Sequence, residues 1–319
     1  MIENVAIILL VFLEQLNVIS DGQNDPKLLT QFIETESVSQ NVNFYESDWN
    51  YYNDNLHLEN SIQPLPYKVD NVSDLDIKAK AAVAFDVGTN MILFDKNSKE
   101  RMSIASLTKM MTALVVLENV DLNGVVTISK SAFDTDGRKD GLAINEKINT
   151  KDLLKIMLIR SNNTAAVSLA EHTSGSVEEF VKLMNKKADL LGLKNTNFFN
   201  PTGFDSKENY STAYDVAQLF DYALGKPLIW EILRTQRLNL TSLNGNVKHR
   251  LKNTNLLLGK IKNITGGKTG FTDEAGQCLV LIVGDPIDDH RIISVVLGAE
   301  DRFLETKKLI RWVFKSYKW

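Results

Sequence analysis

Ser106-Leu107-Thr108-Lys109 sets a hydroxyl and an amine three residues apart at the start of an apolar stretch. On a helix, positions i and i+3 share a face, so these two side chains can touch. A serine hydroxyl is a weak nucleophile until a base takes its proton, and a neutral lysine can be that base. Neutrality requires the lysine pKa to fall below its usual value of about 10.4, which burial or a second cation would bring about. Gly266-Gly267-Lys268-Thr269-Gly270 offers such a cation. Lys268 and Thr269 alternate along a strand, and the glycines beside them leave the backbone bare for a ligand. Ser161-Asn162-Asn163 supplies a second hydroxyl for proton relay and, in Asn163, an amide able to hold a peptide.

Each motif alone has a plainer reading. Most serine–lysine pairs at this spacing are solvated helix faces, and Ser and Asn between two helices serve as caps. A lysine on an edge strand guards that edge against aggregation. Three such motifs in one order are less apt to coincide than any one alone, and the first serine stands at a helix start where free N–H groups can receive an oxyanion.

The elements that must position these residues follow from periodicity. Ala81–Asp86 and Met91–Phe94 flank Gly88-Thr89-Asn90 as a hairpin. Ser106–Glu118 is apolar at helical spacing, and Thr150 caps a second helix over Lys151–Ile159, which stops just before Ser161. Further helices are expected at about Thr164–His172, Val177–Leu191 and Thr212–Leu224. Strands return at Leu238–Thr241, Val247–Leu251, the Lys268 segment, Gln277–Val283 and Arg291–Leu297, before a terminal helix over Phe303–Phe314. Strands at both ends with helices between them predict an α+β fold, one sheet with a helical insertion.

At 319 residues, 44% apolar and 24% charged, the chain has ample material for a core. A net charge of -4 without a basic block gives no support to nucleic-acid binding. The single cysteine, Cys278, lies in an apolar strand and reads as a buried, inert thiol. His57, His172, His249 and His290 show no paired-ligand spacing, so neither a metal nor another cofactor is called for. Residues 1–19 carry the apolar run Val5–Leu13, read as a signal or membrane-anchor segment although Glu3 replaces a basic start. Residues 20–77, rich in Asn, Asp, Ser and Glu, read as a polar, flexible linker, and 78–319 as the catalytic domain.

The segments Arg101–Ala113, Asn253-Thr-Asn-Leu-Leu-Leu-Gly259 and Gly266-Gly-Lys-Thr-Gly-Phe-Thr-Asp-Glu-Ala-Gly276 resemble the low-molecular-mass penicillin-binding proteins. More narrowly, they resemble the serine-type D-alanyl-D-alanine carboxypeptidases, a likeness that Asn200-Pro-Thr-Gly-Phe-Asp205 and Ser211-Thr-Ala-Tyr-Asp215 extend. The resemblance implies the penicillin-binding protein/β-lactamase-like fold, an antiparallel sheet flanked by helices with a helical subdomain and a cleft between them. It makes Ser106 the acylated nucleophile, Lys109 its base and Ser161 the second catalytic hydroxyl. Asn163, Lys268 and Thr269 become substrate-binding groups, and the N–H groups of Ser106 and Phe271 the oxyanion hole. The implied reaction removes the terminal D-Ala of peptidoglycan stem peptides, with β-lactams as inhibitors. It implies an extracytoplasmic location, in the periplasm or on the outer face of the membrane, with any attachment through the N-terminus.

Two departures stand out. Asn209-Tyr210 precedes the Ser-Thr-Ala segment where many relatives carry His, and Thr254 stands where some carry an Arg that holds the substrate carboxylate. Anchoring therefore falls to Thr269 and Lys268, or to another arginine such as Arg250. The rival enzyme is a class A-like β-lactamase, whose deacylating Glu follows the second motif by roughly 35 residues. Lys194–Lys207 contains no Glu, which makes that the weaker reading. A non-catalytic module binding peptidoglycan or penicillin is the rival from another class.

Overall fold

The apolar runs that close the sequence become the inner strands of a five-stranded antiparallel sheet. The computed structural model describes residues 65–137, 141–243, 245, 247–285 and 290–319. The expected signal or anchor segment and the linker through residue 64 lie outside the described residues. The elements begin with β1 (Tyr67–Lys68), β2 (Ala81–Asp86), β3 (Ile92–Lys96), α1 (Lys109–Asn119), β4 (Val125–Thr127), α2 (Lys130–Asp134) and β5 (Lys147–Asn149). The helices α3 (Thr150–Arg160), α4 (Asn163–Ser174), α5 (Val177–Leu190), α6 (Ala213–Tyr222) and α7 (Pro227–Arg234) come next. The chain then forms β6 (Arg237–Thr241), β7 (Lys248–Lys252), β8 (Ile264–Thr272), β9 (Gly276–Gly284), β10 (Arg291–Ala299), α8 (Arg302–Ser316) and β11 (Tyr317–Lys318).

The sheet order is β3-β2-β10-β9-β8, which leaves the Lys268 strand on an edge as its glycines suggest. Side chains alternate between two cores, because successive residues of a strand face opposite sides. Val280, Ile282, Ile293 and Val295 face the helical layer, while Leu279, Leu281, Ile292 and Val296 face Leu309, Ile310 and Val313 of α8. Both faces are covered, so β9 reads as a continuous apolar run rather than an alternating one. The α+β arrangement with its helical insertion is the one the sequence predicts, but β6 and β7 pair with each other in a separate two-stranded sheet and do not join the main one. Within the insertion α1 is the central rod, with every residue from Lys109 to Val116 buried. Such a helix is apolar all round because other helices surround it.

Several local features differ from expectation. Ser106 lies in a 3-10 turn, Ala105–Thr108, and α1 proper starts at Lys109. Asn149 rather than Thr150 caps α3, its side chain accepting from Asp152 N. The helices α2 and α7 and the β4–β5 pair are too short to show a period. Residues 67–77, placed with the linker by composition, run along α8. There Tyr67 and Lys68 pair with Lys318 and Tyr317, Trp312 Nε1 donates to Ser73 O at 2.8 Å, and Ile77 is buried. Only Leu75 and Ile77 of this stretch pack against the core beneath α8, a signal too small for composition to register.

Asp221, on α6, gives the helical layer a pH dependence. Burial pushes its carboxyl up from 3.8 to about 6, against the opposing pull of the Arg291 guanidinium. A raised carboxyl pKa means that the folded chain keeps a proton the unfolded chain has released. Stability at this site is therefore present at low pH and is lost as pH rises from about 4 to about 6. With partial solvent screening the loss is about 1–2 kcal/mol. Asp221→Asn should raise the melting temperature at pH 8 and leave it nearly unchanged at pH 4, as thermal unfolding at both values would show.

Candidate active site

The predicted site residues converge from four elements. The turn before α1 supplies Ser106, α1 supplies Lys109, the α3–α4 junction supplies Ser161 and Asn163, and β8 supplies Lys268 and Thr269. They meet at a cleft of about 620 Å³ between sheet and helical layer, lined by Ser106, Ser161, Asn163, Thr269, Gly270 and Phe271 among others.

Lys109 is wholly buried, and its Nζ lies within hydrogen-bonding distance of Ser106 Oγ at 3.0 Å, Asn163 Oδ1 at 2.7 Å and Thr202 O at 2.6 Å. Lys268, also buried, donates through Nζ to Ser161 Oγ at 2.8 Å and to Thr269 O at 2.9 Å. Each lysine thus holds its own serine. Lys268, the cation expected to act on Lys109, holds the hydroxyl of Ser161.

The backbone at both serines is unusual. Ala105, just before Ser106, has φ +48°, and Ser161 itself has φ +59°. Left-handed conformations are unfavourable for residues with a Cβ, and they occur where surrounding structure over-determines them. Ser161 ends α3 in this conformation, and Asn162 caps α4 by accepting from Ala165 N at 2.7 Å. The capping expected of this motif thus belongs to Asn162, which leaves Ser161 and Asn163 to face the cleft. Asn163 is more committed than expected: its Oδ1 accepts from Lys109, and its Nδ2 donates to Asp136 O at 2.7 Å.

Gly270 brings β8 against the serine turn. A Cβ there would stand 2.9 Å from Ile104 O and 3.3 Å from Ser106 N, so only a bare backbone fits. The next residue, Phe271, is exposed at the cleft, which sets the two N–H groups expected to form the oxyanion hole on facing segments.

Sequence reasoning passed over the loop opposite. Asn200 Oδ1 accepts from Thr202 N, Thr202 Oγ1 and Gly203 N at 3.1, 2.9 and 2.8 Å, and this ring of bonds turns Thr202 O toward Lys109. The sequence signal was Asn200-Pro-Thr-Gly, a turn composition that entered above only as part of the family likeness. Arg250, offered as a carboxylate anchor, lies exposed on β7 and does not line the cleft, whereas Arg160, Lys252 and Arg302 do. Arg302 Nη1 donates to Gly270 O and, at 3.3 Å, to Cys278 O, which ties the start of α8 to β8 and β9. Thr254 Oγ1 lies 2.6 Å from Thr269 Oγ1. His249, isolated in the sequence, pairs with Glu146 at 2.5 Å in the interior.

The family described as D-alanyl-D-alanine carboxypeptidase matches residues 68–301. The chain is 39% identical over 254 residues to D-alanyl-D-alanine carboxypeptidase DacF of Bacillus subtilis, an alignment covering 77% of this chain and 64% of that one. It is 34% identical over 244 residues to the D-alanyl-D-alanine endopeptidase of Pseudomonas aeruginosa, covering 75% of this chain and 78% of that one. Among solved structures, the Streptomyces K15 DD-transpeptidase superposes with a TM-score of 0.73 at 29% identity, over 76% of this chain and 100% of that one. The D-alanyl-D-alanine carboxypeptidase DacD of Francisella tularensis gives 0.72 at 30% identity, over 77% of this chain and 72% of that one. The match runs through the sheet and the helical layer alike, well beyond the three motifs, and this chain belongs to the D-alanyl-D-alanine carboxypeptidase family.

Proposed function

We propose that this protein is a serine-type D-alanyl-D-alanine carboxypeptidase. It removes the terminal D-Ala of peptidoglycan stem peptides through an acyl-enzyme on Ser106, and β-lactams inhibit it by acylating the same serine. The observation that carries this reading is the set of oxygens around Lys109 Nζ. A neutral amine has two N–H bonds and one lone pair. Asn163 Oδ1 and Thr202 O can only accept, so they take the two N–H bonds and leave the lone pair facing the Ser106 hydroxyl. That is the polarity a general base needs.

Ser106 Oγ attacks the carbonyl carbon of the penultimate D-Ala while its proton passes to Lys109. The carbonyl electron pair moves to oxygen, where the N–H groups of Ser106 and Phe271 receive it. Collapse of this intermediate breaks the C–N bond, and the departing amine takes the proton that Lys109 received, relayed through Ser161, whose hydroxyl Lys268 orients. Water then attacks the ester, giving up a proton to the again neutral Lys109, which returns it to Ser106 as the ester C–O bond breaks. The Thr269 hydroxyl and the Lys268 charge hold the substrate's terminal carboxylate.

The similarity to enzymes named for D-Ala-D-Ala chemistry supports this reading, although the chain spans 64% of the length of the Bacillus relative. The substrate lies outside the cytoplasmic membrane, and we place the protein there, with Val5–Leu13 as the segment for export or attachment. No helix among the described residues is long and apolar enough to cross a membrane.

The test compares D-Ala release from a blocked pentapeptide with hydrolysis of benzylpenicillin. Release of D-Ala should exceed penicillin hydrolysis, because Lys194–Lys207 supplies no Glu to the cleft. Penicillin hydrolysis as fast as peptide cleavage would move the protein to the β-lactamases. A stable adduct without D-Ala release would make it a binding module.

A further inference from the structure

Thr254 stands in a segment whose neighbours are locked. Asn253 is buried and donates through Nδ2 to Leu233 O at 3.1 Å and Thr235 O at 2.9 Å, while its Oδ1 accepts from Asn255 N at 2.9 Å. Asn255, also buried, accepts through Oδ1 from Leu257 N at 3.0 Å. Between them the Thr254 backbone donates to Ile159 O at 3.2 Å. The two asparagines turn inward, and Thr254 faces the cleft with its hydroxyl 2.6 Å from that of Thr269.

Two hydroxyls at this distance share one proton between them, and either can donate. A carboxylate beside Thr269 only accepts, so its arrival selects one polarity: Thr254 donates to Thr269, and Thr269 donates to the carboxylate. Hydrogen bonds in such a chain polarise one another, and each strengthens the next. We propose that Thr254 is a positioning residue that sets the Thr269 hydroxyl as a donor to the substrate's terminal carboxylate. This rests on the proposed acyl-transfer function and assigns part of its selectivity for a free C-terminal acid to Thr254.

The experiment measures acylation by benzylpenicillin and by its methyl ester, which lacks the free carboxylate, in wild type, Thr254→Val and Thr254→Ser. Valine keeps the shape without the hydroxyl, and serine keeps the hydroxyl. The ratio of acylation efficiencies, acid over ester, should fall about fivefold in Thr254→Val, the size of one net hydrogen bond, and return in Thr254→Ser. Changes in folding or general reactivity cancel in this ratio. An unchanged ratio in Thr254→Val, or a fall that Thr254→Ser does not restore, overturns the proposal while leaving the proposed function intact. Wild-type protein that is neither acylated nor able to release D-Ala from a blocked pentapeptide overturns both.

Discussion

Ser106→Ala should abolish the covalent adduct with benzylpenicillin and lower D-Ala release by on the order of 10⁴-fold or more. The substitution removes the oxygen that lies 3.0 Å from Lys109 Nζ and leaves that lysine its bonds to Asn163 Oδ1 and Thr202 O, so the fold should survive. The nearest competitor is Ser161, whose residue also lines the cleft, but its hydroxyl accepts from Lys268, which the mechanism does not use as the base. Cys278 is no substitute, because burial pushes its thiol up to about 11 and shuts it from solvent. Intact-protein mass spectrometry after exposure to penicillin measures the outcome. An adduct of unchanged mass on Ser106→Ala would place the nucleophile elsewhere and overturn the mechanism.

The groups proposed to do chemistry were legible because local sequence holds them. Ser106 and Lys109 are one turn apart, Ser161 and Asn163 share a helix junction, and Lys268 and Thr269 are adjacent on a strand. Periodicity also showed the sheet and the central helix, since both are buried on every side and their apolar runs are long. What stayed hidden depends on backbone atoms or on distant pairs. Thr202 contributes a carbonyl that any residue has, so nothing in its side chain announces the contact with Lys109. Asn163 looks like a group wholly free for a peptide until Asp136 O is seen to take one of its two amide N–H bonds. Arg250 and Arg160 are indistinguishable by composition. Only the register of β7 and the end of α3 decide that the second lines the cleft and the first does not. The same holds for His249 and Glu146, which periodicity leaves unrelated and packing joins.

The Thr202 contact also makes Gly203 the most sensitive position outside the motifs. Gly203 has φ +76°, and a Cβ placed on it would stand 1.9 Å from Ala105 O, 2.4 Å from Ala105 C and 2.8 Å from Thr108 Oγ1. Two of these atoms are backbone of the turn that presents Ser106, and that turn already holds Ala105 in a left-handed conformation. It cannot yield without moving the nucleophile, so Gly203→Ala should push the 200–205 loop away and draw Thr202 O off Lys109. Displacing a reacting group by about 1 Å costs roughly 100-fold in rate, and the loss in acylation should be at least of that order. Stability falls as well, because a left-handed alanine costs roughly 1–2 kcal/mol before any clash is counted. The control is Gly192→Ala, with φ +68° and nothing within 4 Å of the added carbon. It carries the backbone penalty without the clash, so it should lower the melting temperature and keep the wild-type acylation rate. Stopped-flow acylation and thermal unfolding of both variants separate the two effects. If Gly203→Ala acylates as fast as Gly192→Ala, the Thr202 loop does not hold Lys109, and another group must fix the amine's orientation toward Ser106.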